Sequence, residues 1–155
     1  MALIRIALTD APLDTAGACA DIADGRADIG AVVTFTGLCR DEDGRLDALE
    51  LEHYPGMAEA EITRIAALAA ERFDVKALTV VHRHGKIRPG EPIVIVAAAA
   101  THRHAAFEAA AFVMDFLKTE APFWKKEHAR DGSPADWVAA RTEDDEARAR
   151  WARSR

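Results

Sequence analysis

The chain has 155 residues, of which 50% are hydrophobic and 30% charged, as in folded proteins with one sizeable core. Its formal net charge of -6, from 20 basic and 26 acidic residues, argues against general nucleic-acid binding, which needs a broadly basic surface. No apolar run approaches the roughly 20 residues of a membrane span, and the N-terminal residues lack the pattern of a signal peptide. We therefore expect a cytoplasmic protein that forms a single domain over residues 1–155.

The first half of the chain predicts strands that alternate with helices. The β-branched run GAVVTFTG is bounded by glycines, and ALELEHY alternates apolar and polar residues, so both predict strands. Ile62, Ile65 and Leu68 recur at helical spacing with charged residues opposite them. The predicted elements are strands at 3–8, 30–37 and 48–54 and helices at about 14–24 and 57–73.

The second half predicts two more strands and a deeply packed helix. Residues 75–85 read as a strand, and the continuous apolar run PIVIVAAAA, 92–100, predicts a central strand. The apolar helix predicted at 104–118 should end near Lys118, because Pro122 disfavours the helical conformation at Ala121. A loop is predicted at 130–137 and a charged terminal helix or tail at about 141–155.

This order of elements predicts an α+β fold. Strand, helix, two strands, helix, two strands and helix follow one another along the chain. The arrangement favours a mainly antiparallel sheet with the helices packed on one of its sides.

The stretch FLKTEAPFWKKE, residues 116–127, concentrates lysines and aromatic rings in an acidic protein. Lys118 falls where the apolar helix ends; the helix C-terminus favours a cation there, whereas burial beside rings and other lysines favours a neutral amine that could act as a base or nucleophile. Lys125 and Lys126 would point to opposite sides of an extended segment, and we choose Lys125 as the partner of Lys118. The alternative is an ordinary set of solvated surface lysines.

A second group of cations lies at the ends of predicted strands. His102 and Arg103 stand between the strand at 92–100 and the next helix, where backbone N–H groups and an arginine fork suit an anion. Arg40 follows the TFTG strand and could reach into the same cleft. The alternatives are capping and surface pairing for His102 and Arg103, and simple packing for Cys39, which could otherwise carry sulfur.

Metal and nucleotide motifs are not favoured. The triplet HRH occurs at 82–84 and again at 102–104, but no further ligands follow at matching spacing, so we predict no metal site. The sequence contains neither a GxxxxGK[ST] phosphate loop nor a GxGxxG turn.

Four stretches of the chain closely resemble the large, catalytic subunit of molybdopterin synthase. These stretches are GAVVTFTGLCR, LELEHYPGMAE, THRHAAFEAAAFVMDFLKTEAPFWKKE and DWVAARTEDDEARARW. The resemblance implies an α/β hammerhead fold and a homodimer core that binds a small ubiquitin-like carrier subunit at each end. It also implies that the carrier's Gly-Gly tail, activated as a thiocarboxylate, donates sulfur to cyclic pyranopterin monophosphate to build the dithiolene of molybdopterin. No resident cofactor is implied.

The resemblance assigns roles to residues of this chain. It implies that Lys118 and Lys125 are catalytic. It implies a substrate site formed by Leu38, Cys39, Arg40, His102, Arg103, Lys126, Glu127 and Arg141, of which Arg141 is expected to reach the neighbouring subunit's site. Many relatives have a lysine and a valine where this chain has Leu38 and Cys39, and we expect a backbone contact with substrate at Leu38.

We expect these cations to converge in one partly dry hollow that attracts two negative reactants. Two rival hypotheses use the same residues differently. A non-catalytic phosphate- or nucleotide-binding module would bind without turnover and ignore any carrier. A dimerisation scaffold built on helix 104–118 would tolerate neutral replacements of Lys118 and Arg103 but not the loss of Phe112 or Phe116.

Overall fold

A computed structural model describes residues 1–138 and 141–152 and shows an α+β architecture with two sheets. The last three residues of the predicted terminal tail, 153–155, lie outside the described residues. The strands are β1 (Leu3–Thr9), β2 (Ala31–Leu38), β3 (Leu46–His53), β4 (Ala77–Arg83), β5 (Gly85–Ile87), β6 (Pro92–Ala100), β7 (Phe123–Ala129) and β8 (Asp136–Trp137). The helices are α1 (Thr15–Cys19), α2 (Met57–Phe73), α3 (Arg103–Glu120) and α4 (Thr142–Ala149), and a 3₁₀ turn follows at Arg150–Ala152.

The two sheets are mainly antiparallel, as predicted. Sheet A has the strand order β1-β4-β6-β2, in which only β1 and β4 run parallel. Sheet B has the order β5-β3-β7-β8, with every pair antiparallel. The prediction of one sheet was wrong because β5 and β8 are too short to show a period, and because β7 carries the charged run that was not assigned to a strand.

The main core lies between sheet A and the two long helices. Ile62 and Ile65 of α2 and Phe112 of α3 pack with Leu78 and Val80 of β4, all of them almost fully buried. The predicted central position of β6 is confirmed: alternate residues of its apolar run face this core, while Ala97 and Ala99 face the other side. A strand that is buried on both faces reads as a continuous apolar run.

The other face of sheet A is covered by the α1 region. Ile22 and Ala23, which follow α1, pack against Ala77, Ala97 and Ala99. The prediction that the helices share one side therefore holds for α2 and α3 but is wrong for this short segment, whose predicted helix to residue 24 ends at Cys19. Within the described ranges, no helix combines the length and the apolar character that a bilayer crossing requires.

Candidate active site

A recess opens where the C-terminal end of α3 meets both sheets. Its walls come from β2, β4 and β6 of sheet A, from β3 and β7 of sheet B and from the last two turns of α3. The lining residues are Phe35, Gly37, Leu38, Leu49, Leu51, His82, Ile93, Val94, Met114, Leu117, Lys118, Ala121, Phe123 and Lys125. Most of them are apolar, so the two ammonium groups project into surroundings that solvate charge poorly.

A two-residue link brings the two lysines to the same recess. The helix α3 ends at Glu120, and Ala121 is extended (φ -67°, ψ 129°), as predicted for a residue that precedes proline. The strand β7 begins directly after Pro122 and pairs with β3, with Lys125 opposite Leu51. Alternation along β7 then turns Lys125 to the recess, where it faces Lys118 from the last turn of α3.

Lys125 is one of the groups whose pKa the recess changes. Burial lowers the pKa of this half-buried amine, and the charges of Lys118 and Arg141 lower it further, against an opposing effect of Asp144. Lys118 is exposed at the mouth and makes no hydrogen bond or ion pair with residues 1–138 or 141–152. Two amines at one apolar recess can hold anionic groups and can exchange protons with them.

His82 also lines the recess and was not assigned to it from the sequence. Its ring stacks on Phe123 with the centroids 4.1 Å apart, and its Nδ1 lies 2.9 Å from the carbonyl oxygen of Arg83. Burial, with the charges of Lys125 and Lys118, lowers the pKa of His82 to about 4, so its ring is neutral at pH 7. One signal was available: His82 is in phase with the buried Leu78 and Val80, which puts it on the core side of β4.

Leu38 and Cys39 are neighbours with different environments. Leu38 ends β2 at an irregularity in its pairing with β6, is 55% exposed and lines the recess. Cys39 is buried against Leu51 and Ile87, its Sγ lies 3.7 Å from the carbonyl oxygen of Ile87, and burial raises the pKa of its thiol. A buried thiol with a raised pKa is a poor nucleophile, which favours packing over sulfur carriage.

Three predicted substrate residues lie away from the recess lining. Arg40 is exposed and pairs with Glu42. Lys126 points to the opposite face of β7, where its Nζ lies 3.4 Å from Glu52 and 4.3 Å from the ring centroid of Trp137. Glu127 is exposed.

The lysines and aromatic rings of residues 116–127 therefore do not form one wall of the recess. Alternation along β7 carries Trp124, like Lys126, to the face opposite Lys125, and the ring of Trp124 meets Tyr54 there. Phe116 belongs instead to the main core, where it stacks on Phe112.

His102 and Arg103 occupy the other end of α3, so the predicted convergence with Lys118 is wrong within one chain. His102 is the N-cap residue and Arg103 the first helical residue, and both are exposed. At 1.5 Å per residue, the helix separates Arg103 from Lys118 by roughly 22 Å along its axis. A helix is too stiff to close that gap.

Arg141 stands immediately before α4, with its Nε 3.7 Å from a carboxylate oxygen of Glu143. Its charge acts on the pKa of Lys125 in the same chain, but its side chain is not among those that line the recess.

The histidine triplets do not assemble a metal site in the described ranges, where no group of three or more His, Cys, Asp or Glu side chains is placed to hold an ion. His82 stacks on Phe123, while the His84 ring lies 4.4 Å from that of His53.

This chain matches one protein family along most of its length. The model of the family described as MoaE protein matches residues 8–120 of this chain. A curated protein of Mesorhizobium japonicum named molybdopterin synthase catalytic subunit is 64% identical over 148 residues, which cover 96% of this chain and 92% of that protein.

Solved structures show the same fold. The molybdopterin biosynthesis MoaE protein from Burkholderia ambifaria superposes with a TM-score of 0.82 at 44% identity, covering 98% of this chain and 99% of the other. A protein–protein complex of subunits 1 and 2 of molybdopterin-converting factor from Helicobacter pylori includes a chain with a TM-score of 0.69 at 22% identity, covering 91% and 92%.

Proposed function

The chain belongs to the MoaE protein family, and we propose that it is the catalytic subunit of a molybdopterin synthase, a sulfurtransferase of molybdenum cofactor biosynthesis. It would transfer sulfur from the C-terminal thiocarboxylate of a small carrier subunit to cyclic pyranopterin monophosphate and so form the dithiolene. The observation that carries this proposal is the pair Lys118 and Lys125 at one recess, because both the thiocarboxylate and the cyclic phosphate are anions.

The size of the recess supports a site that receives the end of a ligand. Its volume of about 110 Å³ is well below the 300 Å³ or more of a pocket that encloses a whole small molecule. A narrow apolar recess with two amines suits the extended end of a Gly-Gly tail, whose residues lack side chains and whose thiocarboxylate would lie between the ammonium groups. The pterin would then approach from the open side.

The chemistry we propose needs charge control more than a nucleophile on the chain. The thiocarboxylate sulfur attacks a carbon of the substrate and displaces an oxygen there, and water then cleaves the acyl–sulfur bond, so that the sulfur stays on the substrate and the carrier leaves as its ordinary carboxylate. Lys118 transfers protons to the departing oxygen or stabilises the oxyanion that develops, and Lys125 supports it electrostatically. The pKa of Lys125 is lowered by burial, so this amine gives up its proton more readily than a surface lysine. Sulfur arrives with the carrier, and we propose no resident cofactor.

A homodimer would supply the cations that one chain does not bring to its own recess. His102 and Arg103 are exposed and far from Lys118, so they could serve the recess of a second copy. The edge strand β2 and the helix α3 expose Val32, Phe35 and Phe107, which is apolar area suited to a contact between copies. Arg141 would also reach the recess of the neighbouring subunit, in addition to its effect on the pKa of Lys125 in its own chain.

The remaining predicted substrate contacts stay proposals. Leu38 would contact substrate through its backbone at the rim, with Cys39 packed behind it. Arg40 would turn from Glu42 to the phosphate, as an exposed pair costs little to break. Lys126 and Glu127 would act only from outside the recess.

The partner would be a small ubiquitin-like carrier that ends in Gly-Gly. The two-subunit complex from Helicobacter pylori supports a small-subunit partner for this fold. Two carriers on a homodimer core would give a heterotetramer, which we expect to act in the cytoplasm.

Co-purification and turnover test the proposed function together. The chain should retain a small Gly-Gly carrier and should form the dithiolene product when that carrier is thiocarboxylated. The carrier with an ordinary carboxylate is the control and should bind without giving product. Failure to form product with the thiocarboxylated carrier would reject the sulfurtransferase.

Mixing two inactive variants tests the dimer. Lys118→Ala and Arg103→Ala should each lose activity, and co-refolding them should restore about a quarter of it, because half of the random dimers are mixed and each has one intact site. No recovery would mean that both residues act in the same chain or that no shared site exists.

A further inference from the structure

Three polar groups that line the recess have no partner within residues 1–138 and 141–152. They are the ammonium groups of Lys118 and Lys125 and the Nε2 atom of His82. An ammonium group can only donate hydrogen bonds. A ligand in the recess must therefore present hydrogen-bond acceptors to the two ammonium groups. Whether Nε2 of His82 donates or accepts depends on the protonation of the imidazole.

The hydrogen bond of His82 fixes that state. A carbonyl oxygen has no hydrogen to give, so Nδ1 must be the donor to the carbonyl of Arg83, 2.9 Å away. A neutral imidazole carries only one N–H, which leaves Nε2 with a bare lone pair. His82 then offers an acceptor among lining side chains whose other polar members, Lys118 and Lys125, are donors.

The Nε2 atom of His82 stays unprotonated near neutral pH. Burial lowers the pKa of His82 to about 4, and the charges of Lys125, Lys118 and His53 act in the same direction. A second proton on the ring would face two ammonium groups across an apolar space, which is costly.

The ring is also held in place. It stacks on Phe123 at 4.1 Å, and the backbone of His82 is paired in sheet A with Leu8 on one side and Val94 on the other. An acceptor fixed in this way can select the orientation of a ligand, because it does not turn to suit a different one.

We propose that His82 is a ligand-binding residue whose Nε2 accepts a hydrogen bond from an N–H or O–H group adjoining the anionic end of the bound ligand. This inference rests on the proposed function, which supplies two such ligands. The pterin carries ring N–H groups, and the carrier tail carries backbone N–H groups beside its thiocarboxylate. The site would thus recognise a hydrogen-bond donor next to a negative charge on the ligand, and not a negative charge alone.

Nitrogen NMR of the wild-type protein tests this without any substitution. In the ligand-free protein, the Nε2 of His82 should resonate as an unprotonated acceptor and Nδ1 as a protonated nitrogen. Saturation with the right ligand should move the Nε2 resonance upfield while Nδ1 keeps its bond to Arg83. One arm uses cyclic pyranopterin monophosphate alone and the other the carboxylate form of the carrier, so the arm that moves Nε2 identifies the donor. An unchanged Nε2 resonance in both arms, at concentrations that support turnover, overturns the proposal.

Two substitutions separate the acceptor from the fold. The amide of His82→Gln reaches the position of Nε2 and can accept there, whereas the shorter His82→Asn keeps only the donor to Arg83. We expect His82→Asn to raise the KM or Kd of the identified ligand by about three- to tenfold, which corresponds to the loss of one neutral hydrogen bond. The kcat should change little. His82→Gln should recover most of this loss. Equal binding by both variants, at equal melting temperature, overturns the proposal.

The two proposals fail in different ways. If the wild-type protein forms no dithiolene, the sulfurtransferase is rejected whatever His82 does. If it turns over while Nε2 and both variants behave as bystanders, only the role of His82 is rejected.

Discussion

The two sheets of this protein differ in burial and in charge. The central strands β4 and β6 of sheet A are buried on both faces, and Leu78, Val80 and Val96 have no exposed surface. Sheet B carries Lys125, Lys126 and Glu127 on β7 and has a small core around Leu51 and Ile87. The recess lies where the two sheets meet. The buried apolar layer of sheet A therefore supports amines that the small, charged sheet B could not position alone.

The largest expected effect is the loss of activity in Lys118→Ala. We expect dithiolene formation to fall by about 10²- to 10⁴-fold, the usual contribution of a positioned proton donor or acceptor. The fold should persist, because Lys118 is exposed and makes no ion pair with the described residues. Single-turnover assays with thiocarboxylated carrier measure the rate.

Lys76→Ala is the matched control for that variant. Lys76 pairs with Asp74 at 3.4 Å just before β4, at the opposite end of that strand from His82. Its turnover should match the wild type, and near-normal turnover of Lys118→Ala itself would break the assignment of chemistry to the recess.

The next effect falls on stability and belongs to sheet A. Leu78→Ala should lower the free energy of unfolding by about 2–5 kcal/mol, because it opens a cavity among fully buried side chains. Urea unfolding measures this loss. Leu68→Ala on α2, where the leucine is 41% exposed, should change it much less. A large fall in turnover per folded molecule of Leu78→Ala would show that the two sheets are not separable.

The smallest expected change in stability is a gain, and it comes at the expense of function. Folding lowers the pKa of Lys125, chiefly by burial, so between the folded and unfolded pKa values the unfolded chain binds more protons. Stability should therefore rise with pH through that window, and at neutral pH the charged amine is a cost. Lys125→Met should raise the melting temperature and abolish most turnover.

Lys126→Met serves as the control, since it removes the contacts with Glu52 and Trp137 and should bring no gain in stability. A lower melting temperature for Lys125→Met than for the wild type would contradict the inference that the charged amine of Lys125 destabilises the folded protein.

The same difference between the apolar and the charged elements explains which of them the sequence could predict. Elements built by apolar patterning, such as α2 and β6, were predicted at their observed bounds. The turn at Ala121 and Pro122 followed from local sterics. The strands of sheet B were harder, because β7 is charged and its pairing with β3 is set by residues about 75 positions apart in sequence.

The site shows the same limit. Alternation along one extended segment was enough to separate Lys125 from Lys126. The recess role of His82 depends on sheet A, and the distance from Arg103 to Lys118 depends on the length of α3, so neither is written in a local motif.

Condensation of the carrier with the chain tests the central claim most directly. A reagent that activates the C-terminal carboxylate of the bound carrier should join it to an amine within reach, and mass spectrometry identifies the lysine. We expect an amide bond to Lys118 or Lys125, the lysines of the recess. Attachment at Lys76, Lys86 or Lys126, with none at the recess, would contradict the account.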